Sequence, residues 1–281
     1  MTIEGLLVLD KPQGMTSRAA VDHALRWFPR RTKLGHTGTL DPLATGVLVV
    51  CVGRATRLVE YVQQMSKTYQ SIFTLGAISA TDDADGPLTP LNARDPGEAA
   101  VRAELAKLVG TLQQVPPTYS AAHVAGQRAY DRVRRGQTVQ LEARPVQVYG
   151  ITLLRYAYPE VEVRVECGKG TYIRSLARDL GAALGVGAYV SMLRRTRVGP
   201  FTPEQATPLD AVVPRLLPAW LALAQLPRGC IAPQDQERLR QGQAVAVQGD
   251  EAQHAAIWCE ETLVAIGRIQ GGRVWPTKVL L

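Results

Sequence analysis

The amino-acid sequence predicts a mixed α+β domain followed by a small all-β module. In residues 1–226, segments with the pattern of sheet strands are interspersed with helical segments, without strict strand–helix alternation. After residue 226 the pattern changes to short strands separated by glycine-rich turns such as Gly271-Gly272. Apolar residues make up 46% of the 281-residue chain, which is ample for a core. We therefore predict a first domain over residues 1–226 and a second over residues 227–281.

In the N-terminal third of the chain, the sequence predicts two helices and three strands around one long loop. Residues 6–10, LLVLD, form a short apolar run that is typical of a buried strand. Thr16 or Ser17 can cap the helix that follows. A loop over residues 35–46 leads to an apolar strand that starts at Val47, and a helix near 55–63 and a strand over 68–77 come next. The predicted buried face of the first helix comprises Ala20, Val21, Ala24, Leu25 and Phe28.

The rest of the first domain predicts a helix over 97–109, a basic excursion from the core over 115–144, and a hairpin whose strands cover 146–156 and 161–168. A helix over 172–184 carries apolar residues on one stripe, and a strand over 188–199 follows it. Another helix is predicted around 214–226. The second domain is expected to contain four short strands, at 243–247, 255–259, 263–270 and 273–281.

The cysteines and the N-terminus indicate where the protein works. The four cysteines, Cys51, Cys167, Cys230 and Cys259, form no CxxC pair, so the sequence indicates neither a thiol-rich zinc site nor a disulfide framework. Unpaired thiols fit a reducing compartment. The short apolar run at the N-terminus is interrupted by Asp10, unlike a signal peptide, and no run approaches the length of a membrane span. We therefore expect a cytoplasmic protein.

The charge distribution favours a polyanionic partner. The net charge is +7, and residues 227–281 carry six basic and six acidic residues, so the whole excess lies in residues 1–226. Basic residues cluster at 26–33, 128–136 and 192–197. Such clusters suit nucleic acid. The alternative is an ordinary solvated basic face.

The stretch GHTGTLDPLATG, residues 35–46, is dense in glycine and threonine and contains one acid, Asp41. An aspartate before a proline is common in turns and helix caps, and that structural role is the usual one. However, loops on a rigid scaffold are also where catalytic side chains concentrate, and glycines allow a substrate to approach the backbone closely. From its residues alone, the loop leaves both interpretations open.

The same stretch resembles the catalytic motif of the TruB family, the tRNA pseudouridine synthases. Further motifs agree in order and spacing, so the resemblance spans nearly all of residues 5–200, and it is far more specific than a short pattern. The C-terminal module is loosely similar to the small PUA domain that is often appended to such enzymes. The companion motifs are GLLVLDKPQGMTS (5–17), KTY (67–69), DADG (83–86), PPTYSA (116–121), GQRAYDRVRRG (126–136) and CGKGTYIRSLARDLG (167–181).

The resemblance implies a pseudouridine-synthase-like fold, with a mixed, largely antiparallel sheet flanked by helices. It implies an isomerase that converts uridine 55 in the T arm of tRNA to pseudouridine. The reaction adds no group and has no net redox change, so we expect neither a cofactor nor a metal. The expected partner is tRNA, with no membrane association and no obligate protein partner, and we expect a monomer.

The resemblance also implies three catalytic residues. Asp41 would be the carboxylate that attacks the sugar or assists departure of the base. Arg174 would face it and keep it ionised, since an adjacent positive charge favours the charged form. Tyr69 would stack on the target uracil, and its hydroxyl could relay a proton. Without the resemblance, Arg174 would be an exposed helix arginine and Tyr69 a strand tyrosine.

The resemblance implies roles for four more residues. His36 would fill the space left by the flipped-out nucleotide, where the alternative is an exposed loop histidine. Lys11 would support the floor of the site, or be plain surface charge. Tyr172 would line the site, or simply begin a helix. Leu193 would pack against the uracil, or belong to the core.

The basic excursion is the expected RNA clamp. Arg128, Arg132 and Arg135 are spaced by four and three residues, so one helix face could meet phosphates. Most contacts of such a clamp would read the shape and backbone of the RNA rather than its bases.

One departure from the family pattern bears on the catalytic arginine. Residues Ser79, Ala80 and Thr81 stand where the family usually has Thr-Asp-Thr, so that aspartate is missing. Asp82 or Asp83 could substitute for it, and Asp82 would share the face of Ala80 if the segment is extended.

Two rival functions remain at this stage. The first is a tRNA-binding folding factor with weak or no catalysis, supported by the absence of an aspartate at Ala80. The second is a sugar or nucleoside hydrolase, which usually needs a second carboxylate about 5–10 Å away.

Overall fold

A computed structural model of the chain describes residues 4–120, 123–124, 127–128 and 141–280. Within these residues a nine-stranded sheet and a five-stranded sheet form the body of the protein, with two further two-stranded sheets. The α-helices described are α1 (Ser17–Ala24), α2 (Val59–Gln64), α3 (Glu98–Lys107), α4 (Ile173–Ala183) and α5 (Gln236–Arg240). The predicted α+β class, with a C-terminal all-β region, is confirmed.

The strands of the first 120 residues are β1 (Gly5–Lys11), β2 (Leu34–His36), β3 (Thr45–Val52), β4 (Lys67–Leu75), β5 (Ala77–Ser79), β6 (Leu88–Pro90) and β7 (Gly110–Gln114). The next group is β8 (His123–Val124), β9 (Gln127–Arg128), β10 (Arg144–Ala157), β11 (Glu160–Cys167), β12 (Ala188–Val198) and β13 (Leu216–Leu217). The five-stranded sheet consists of β14 (Arg228–Ile231), β15 (Val245–Ala246), β16 (Ala252–Cys259), β17 (Thr262–Gln270) and β18 (Arg273–Val279).

The large sheet is mixed but mostly antiparallel. Its order is β13-β1-β3-β12-β4-β11-β10-β7, with β2 paired to β3. Among the strand pairs described in this sheet, one is parallel: it joins β3 to β12, where Thr45 lies opposite Arg194 and Gly46 opposite Arg195. Because β12 also pairs with β4, this junction brings the start of β3 close to the KTY segment.

Strands β1 and β3 are buried on both faces, which explains why they are apolar at nearly every position. Leu7, Leu48 and Val50 point into a core that α1 and α4 cover. Alternate residues, such as Val8 and Val49, point into a second core on the opposite face. That second core also receives apolar side chains from the C-terminal sheet, namely Ala256 and Ile266, with Trp258, Leu263 and Leu280 packed against it.

The sequence predictions for α1 were mostly correct. Thr16 is the N-cap, and its hydroxyl accepts a hydrogen bond from the Ala19 amide. Ala20, Val21 and Ala24 are buried, as is Phe28. Leu25 is exposed, because the α-helix ends at Ala24 and a 3-10 turn changes the phase of the side chains.

The predicted helix over 214–226 was wrong. Pro218 falls in the middle of this segment, and a proline there removes an amide donor that a helix needs. Leu216 and Leu217 instead form β13 on the edge of β1, and residues 219–223 form a 3-10 helix. The prediction for the C-terminal module missed β14 and α5, whereas its four expected strands are present at shifted bounds.

The expected long loop over 35–46 is shorter than predicted. Gly35 and His36 belong to β2, which pairs with Cys51 and Val50 of β3. The connection is therefore the loop of a β-hairpin. In the described residues, no helix is long and apolar enough to cross a membrane.

Candidate active site

Asp41 lies in the hairpin loop between β2 and β3, and this loop is anchored at both ends. The amide of Thr37 donates to the carbonyl of Val49 at 2.9 Å. The hydroxyl of Ser17, on α1, bonds both the amide of Leu40, at 2.7 Å, and its carbonyl, at 3.0 Å. Leu40 itself is buried in the core next to Asp41. Although it is rich in glycine, the loop is therefore fixed against the core.

Gly46, the second residue of β3, is required by the parallel junction of β3 and β12. Its φ is +99°, and a Cβ at this position would lie 2.2 Å from the carbonyl oxygen of Arg195. A larger residue would be strained and would also push β12 away. This close approach explains why the last residue of the motif GHTGTLDPLATG is a glycine.

Asp41 forms an ion pair with Arg174. Its Oδ2 is 2.9 Å from Nη2 of Arg174, and the side chains are 35% and 4% exposed, respectively. The carboxylate thus faces an open space while the guanidinium is enclosed. The predicted facing of Asp41 and Arg174 is present in the structure.

Arg174 is held from several directions. Its Nη1 lies 3.2 Å from Oδ2 of Asp83 and donates to the carbonyl of Thr81 at 2.8 Å, and its Nη2 donates to the carbonyl of Tyr119 at 2.9 Å. A cation in the first turn of α4 opposes the helix dipole, which costs about 0.3–1 kcal/mol. The two carboxylates offset this cost and make burial of the charge possible.

Of the two candidate substitutes for the missing aspartate, Asp83 reaches Arg174. Asp82 instead pairs with Arg178, at 2.9 Å. The segment is not extended, because Asp82 adopts a left-handed φ of 61° in a turn. The expectation that Asp82 shares the face of Ala80 fails for this reason.

The electrostatics of Asp41 reflect competing effects. Burial raises the pKa of Asp41 above its ordinary value, the Arg174 guanidinium opposes this shift, and Asp83 adds to it. A carboxylate in this setting is less well solvated than one in water, and is therefore a stronger base and nucleophile.

Lys11 lies beneath the loop and is fully buried, so the surface alternative for this residue is wrong. Its ammonium donates to the carbonyls of Pro12, Met15 and Pro42, at 2.8, 2.6 and 3.4 Å. Burial lowers its pKa to about 8, and Asp41 opposes this shift. At neutral pH it is a buried cation that joins the segment between β1 and α1 to Pro42 of the loop.

Asp41 lines a cavity of about 480 Å³. Tyr69 and Leu193 are buried side chains of β4 and β12 on its wall, and Tyr172 lines it from the start of α4. Burial raises the pKa of Tyr69, so its hydroxyl is neutral at physiological pH. Five predicted residues thus meet around one cavity: Asp41, Tyr69, Tyr172, Arg174 and Leu193.

Three cations of this cavity were not predicted as site residues, namely Lys67, Lys169 and Arg195. Arg195 is buried, with Nε donating to the carbonyl of Val47 at 2.7 Å and Nη2 to that of Gly38 at 3.1 Å. Lys67 donates to the carbonyls of Gln63 and Met65, and burial lowers its pKa to about 8. Arg195 falls within the basic cluster 192–197 and Lys67 within the KTY motif, and the sequence predicted a site role for neither. The alternation of β12 puts Arg195 on the same side as Leu193, which is the signal that could have identified it.

The remaining predicted residues lie elsewhere. His36 ends β2, directly before the lining segment that starts at Thr37, and is not itself among the residues that line the cavity. Arg128 lies in the short strand β9, paired with His123 of β8. Arg132 and Arg135 fall outside the described residues. Among the described residues, no group of three or more His, Cys, Asp or Glu side chains is placed to hold a metal.

Two family models match the chain. The N-terminal domain of TruB family pseudouridylate synthase matches residues 26–173, and the C-terminal domain of tRNA pseudouridylate synthase B matches residues 174–236. The tRNA pseudouridine synthase B of Nocardia farcinica is 44% identical over 286 residues, covering 98% of this chain and 93% of that protein. Its counterpart in Thermobifida fusca is 50% identical over 216 residues, covering 74% and 73%.

Solved structures show the same fold. A Cbf5–Nop10–Gar1 complex contains a chain that superposes with a TM-score of 0.76 at 28% identity, covering 99% of this chain and 85% of that chain. A chain of an H/ACA RNP bound to a substrate RNA containing 2'-deoxyuridine gives a TM-score of 0.75 at 26% identity, with the same coverage of 99% and 85%.

Proposed function

We propose that this chain, which belongs to the TruB family of pseudouridylate synthases, converts uridine 55 in the T arm of tRNA to pseudouridine. The family makes it an isomerase that acts on uridine in tRNA. The position, the mechanism and the roles of single residues are our proposal. The observation that carries it is the pairing of Asp41 with Arg174 at 2.9 Å on the wall of a cavity.

The reaction breaks the bond between uracil N1 and the sugar carbon C1′, turns the base, and joins C5 to the same carbon. The proton on C5 is lost and N1 gains one, so atoms and electrons balance without a redox partner. This chemistry needs a group that stabilises or captures C1′ while the base turns. We therefore propose that no cofactor takes part.

Asp41 is the proposed group. Its carboxylate either attacks C1′ or assists loss of the base, and both routes begin from the ionised form. Arg174 keeps Asp41 ionised and oriented, and its own position depends on Asp83. Because Arg174 acts through Asp41 in this scheme, it is a positioning residue.

Tyr69 and Leu193 are proposed to hold the uracil. Their buried side chains lie on the wall of the cavity that Asp41 enters. Stacking of a base on an aromatic ring contributes about 1–3 kcal/mol. The Tyr69 hydroxyl could relay the C5 proton, because it is neutral at physiological pH and lies in the same cavity. Tyr172 closes the cavity on the side of α4.

Access to the cavity requires the nucleotide to leave the RNA stack, at a cost of a few kcal/mol. His36 lies directly before the lining segment, and we propose that it occupies the space left in the RNA. The basic segment with Arg128, Arg132 and Arg135 is proposed to bind the RNA backbone. Lys11 is proposed to support the loop by joining it, through the carbonyl of Pro42, to the segment between β1 and α1.

The alternative, a tRNA-binding folding factor with weak or no catalysis, was motivated by the missing aspartate at Ala80. Asp83 provides a carboxylate 3.2 Å from Nη1 of Arg174, so the missing aspartate is no longer an argument against catalysis, and we favour the enzyme. We further propose a catalytic domain over residues 1–226, a PUA-like domain over 227–281, a monomeric state and a cytoplasmic location. The second family model spans residue 226, since it covers 174–236.

The test uses unmodified tRNA with tritium on C5 of its uridines. Wild-type protein should release tritium and place pseudouridine at position 55 alone, without added metal or cofactor. Asp41→Asn should bind tRNA nearly normally and release none, whereas Asp22→Asn, a change at an exposed carboxylate on α1, should leave turnover unchanged. Wild-type turnover in Asp41→Asn would reject Asp41 as the reacting carboxylate, and modification of another uridine would reject position 55.

A further inference from the structure

A second cavity of about 220 Å³ adjoins the first. Lys169, Gly170 and Tyr172 line both cavities, so the second opens beside the mouth of the first. Its other wall is formed by the ends of β7 and β10, including Gln114 and Arg144. The mechanism proposed above makes no use of this space.

The second cavity is built on a fixed frame. Gln114, which is buried, donates from its side-chain amide to the carbonyl of Tyr172 at 3.1 Å and accepts from the amide of Tyr172 at 2.8 Å. Arg144 lies opposite Gln114 in the pairing of β10 and β7. The amide of Gly168 donates to the carbonyl of Gln147 on the same strand, at 2.8 Å. The loop before α4 is thereby tied to the strand that carries Arg144.

The charge of this cavity is one-sided. Arg144 and Lys169 are exposed and line it, and no acidic side chain does so within the described residues. In the first cavity, Asp41 is the one acidic lining residue described. A wall with two cations and no carboxylate attracts an anion, and the guanidinium and ammonium groups are both phosphate donors.

A nucleotide flipped into the first cavity remains joined to the RNA through two phosphodiesters, one on each side of its sugar. Both must lie near the mouth, because the base and C1′ are inside. We propose that the second cavity binds one of these two flanking phosphodiesters through Arg144 and Lys169. This inference rests on the proposed function and adds to it a fixed point for the RNA backbone.

The experiment is a double-mutant cycle between the protein and the RNA. Binding of a T-arm stem-loop is measured in the full-length Asp41→Asn protein, with and without Lys169→Gln or Arg144→Gln. The RNA carries either natural phosphates or one neutral methylphosphonate, on the 5′ or the 3′ side of the uridine that the wild-type enzyme converts. Each substitution removes one charge from one side of the proposed contact.

With natural RNA, each protein variant should bind about tenfold more weakly. The slope of log affinity against log salt should fall by about 1. With a methylphosphonate at one of the two positions, the same variant should lose less than about twofold, because the contact is already absent. Lys169→Arg should keep both the affinity and the salt slope.

Two matched changes serve as controls. Arg155→Gln removes an exposed arginine from the far end of β10, and Lys107→Gln removes an exposed lysine from α3. Both should bind natural RNA within about twofold of the parent. The proposed subsite would be overturned if the Lys169 and Arg144 variants lost as much affinity for both methylphosphonate RNAs as for natural RNA. It would also be overturned if they lost no affinity for natural RNA. Modification of a uridine other than 55 would refute the proposed position. The double-mutant cycle would still test the subsite, because the methylphosphonate is placed beside whichever uridine the wild-type enzyme converts.

Discussion

Arg174 and Asp83 form a buried ion pair, with Nη1 3.2 Å from Oδ2 and both side chains at most 5% exposed. The pair joins the first turn of α4 to the turn before β6. Because Asp41 occupies the other side of the same guanidinium, the position of the carboxylate that we propose to react depends on a second carboxylate, which is buried.

Asp83→Asn should loosen Arg174 and lower the free energy of unfolding by about 1.5–3 kcal/mol, as expected for a hydrogen bond to a charged group. Misplacement of Asp41 should lower kcat about 10- to 100-fold. Urea unfolding and tritium release measure the two effects. Asp82→Asn is the matched control, because asparagine tolerates the left-handed φ at that position and the pair with Arg178 does not touch Asp41. Equal effects in both variants would contradict the assigned role of Asp83.

The pH dependence of kcat/KM should report Asp41. The carboxylate is needed in its ionised form, so activity is lost as pH falls through its pKa, which burial raises above the ordinary value of 3.8. Asp83 also raises this pKa, so Asp83→Asn should shift the acidic limb to lower pH while Arg174 still contacts Asp41, and a shift to higher pH would show that this contact is lost. A merely structural effect would lower the rate at every pH and leave the limb in place.

Gly46→Ala should disrupt the junction of β3 and β12. A positive φ alone costs alanine about 1–2 kcal/mol. At Gly46 a Cβ would also lie 2.2 Å from a backbone oxygen, so the loss should exceed that range and activity should fall with it. Gly97→Ala is the control, since its φ is +81° and nothing lies within 4 Å of the added Cβ. Thermal unfolding of the two variants separates backbone strain from the clash, and equal losses would mean that the clash is relieved.

The C-terminal sheet should stabilise β3, the strand that follows the loop of Asp41. Ile266 lies in the core that also contains Val47 and Val49, whereas Ile269, on the same strand, lies in the core of the C-terminal module. Ile266→Ala and Ile269→Ala should each cost about 2–5 kcal/mol. Only Ile266→Ala should speed amide hydrogen exchange along β1 and β3, and equal exchange in both variants would argue against mechanical support.

Truncation after residue 226 is consequently a poor test of RNA affinity. It would remove Ala256 and Ile266 from the second core and expose the partner side chains on β1 and β3. Because residues 227–281 carry no net charge, we predict that this module adds little RNA affinity. This prediction is better tested by charge substitutions on the surface of that module.

Local patterns were sufficient for most elements. The run LLVLD and the alternation in 146–168 predicted their strands because burial repeats along a single element. The predicted helix over 214–226 is absent because Pro218 cannot donate the amide hydrogen bond that a helix needs at that position. Asp41 and Arg174 lie in two separate motifs, and both motifs were found by their resemblance to a family. Without that resemblance the two residues would be a turn aspartate and a surface arginine.

The sequence by itself determined the α+β class and the apolar strands, since these depend on residues close together in the chain. Its resemblance to a family directed attention to the loop of Asp41. Only the tertiary structure decided that Asp83 rather than Asp82 holds Arg174, that Lys11 and Arg195 are buried, and that the two sheets share a core. Those relationships join residues tens to hundreds of positions apart. Their physical cause is the parallel crossing of β12 beside β3 and the packing around it, which no local periodicity records.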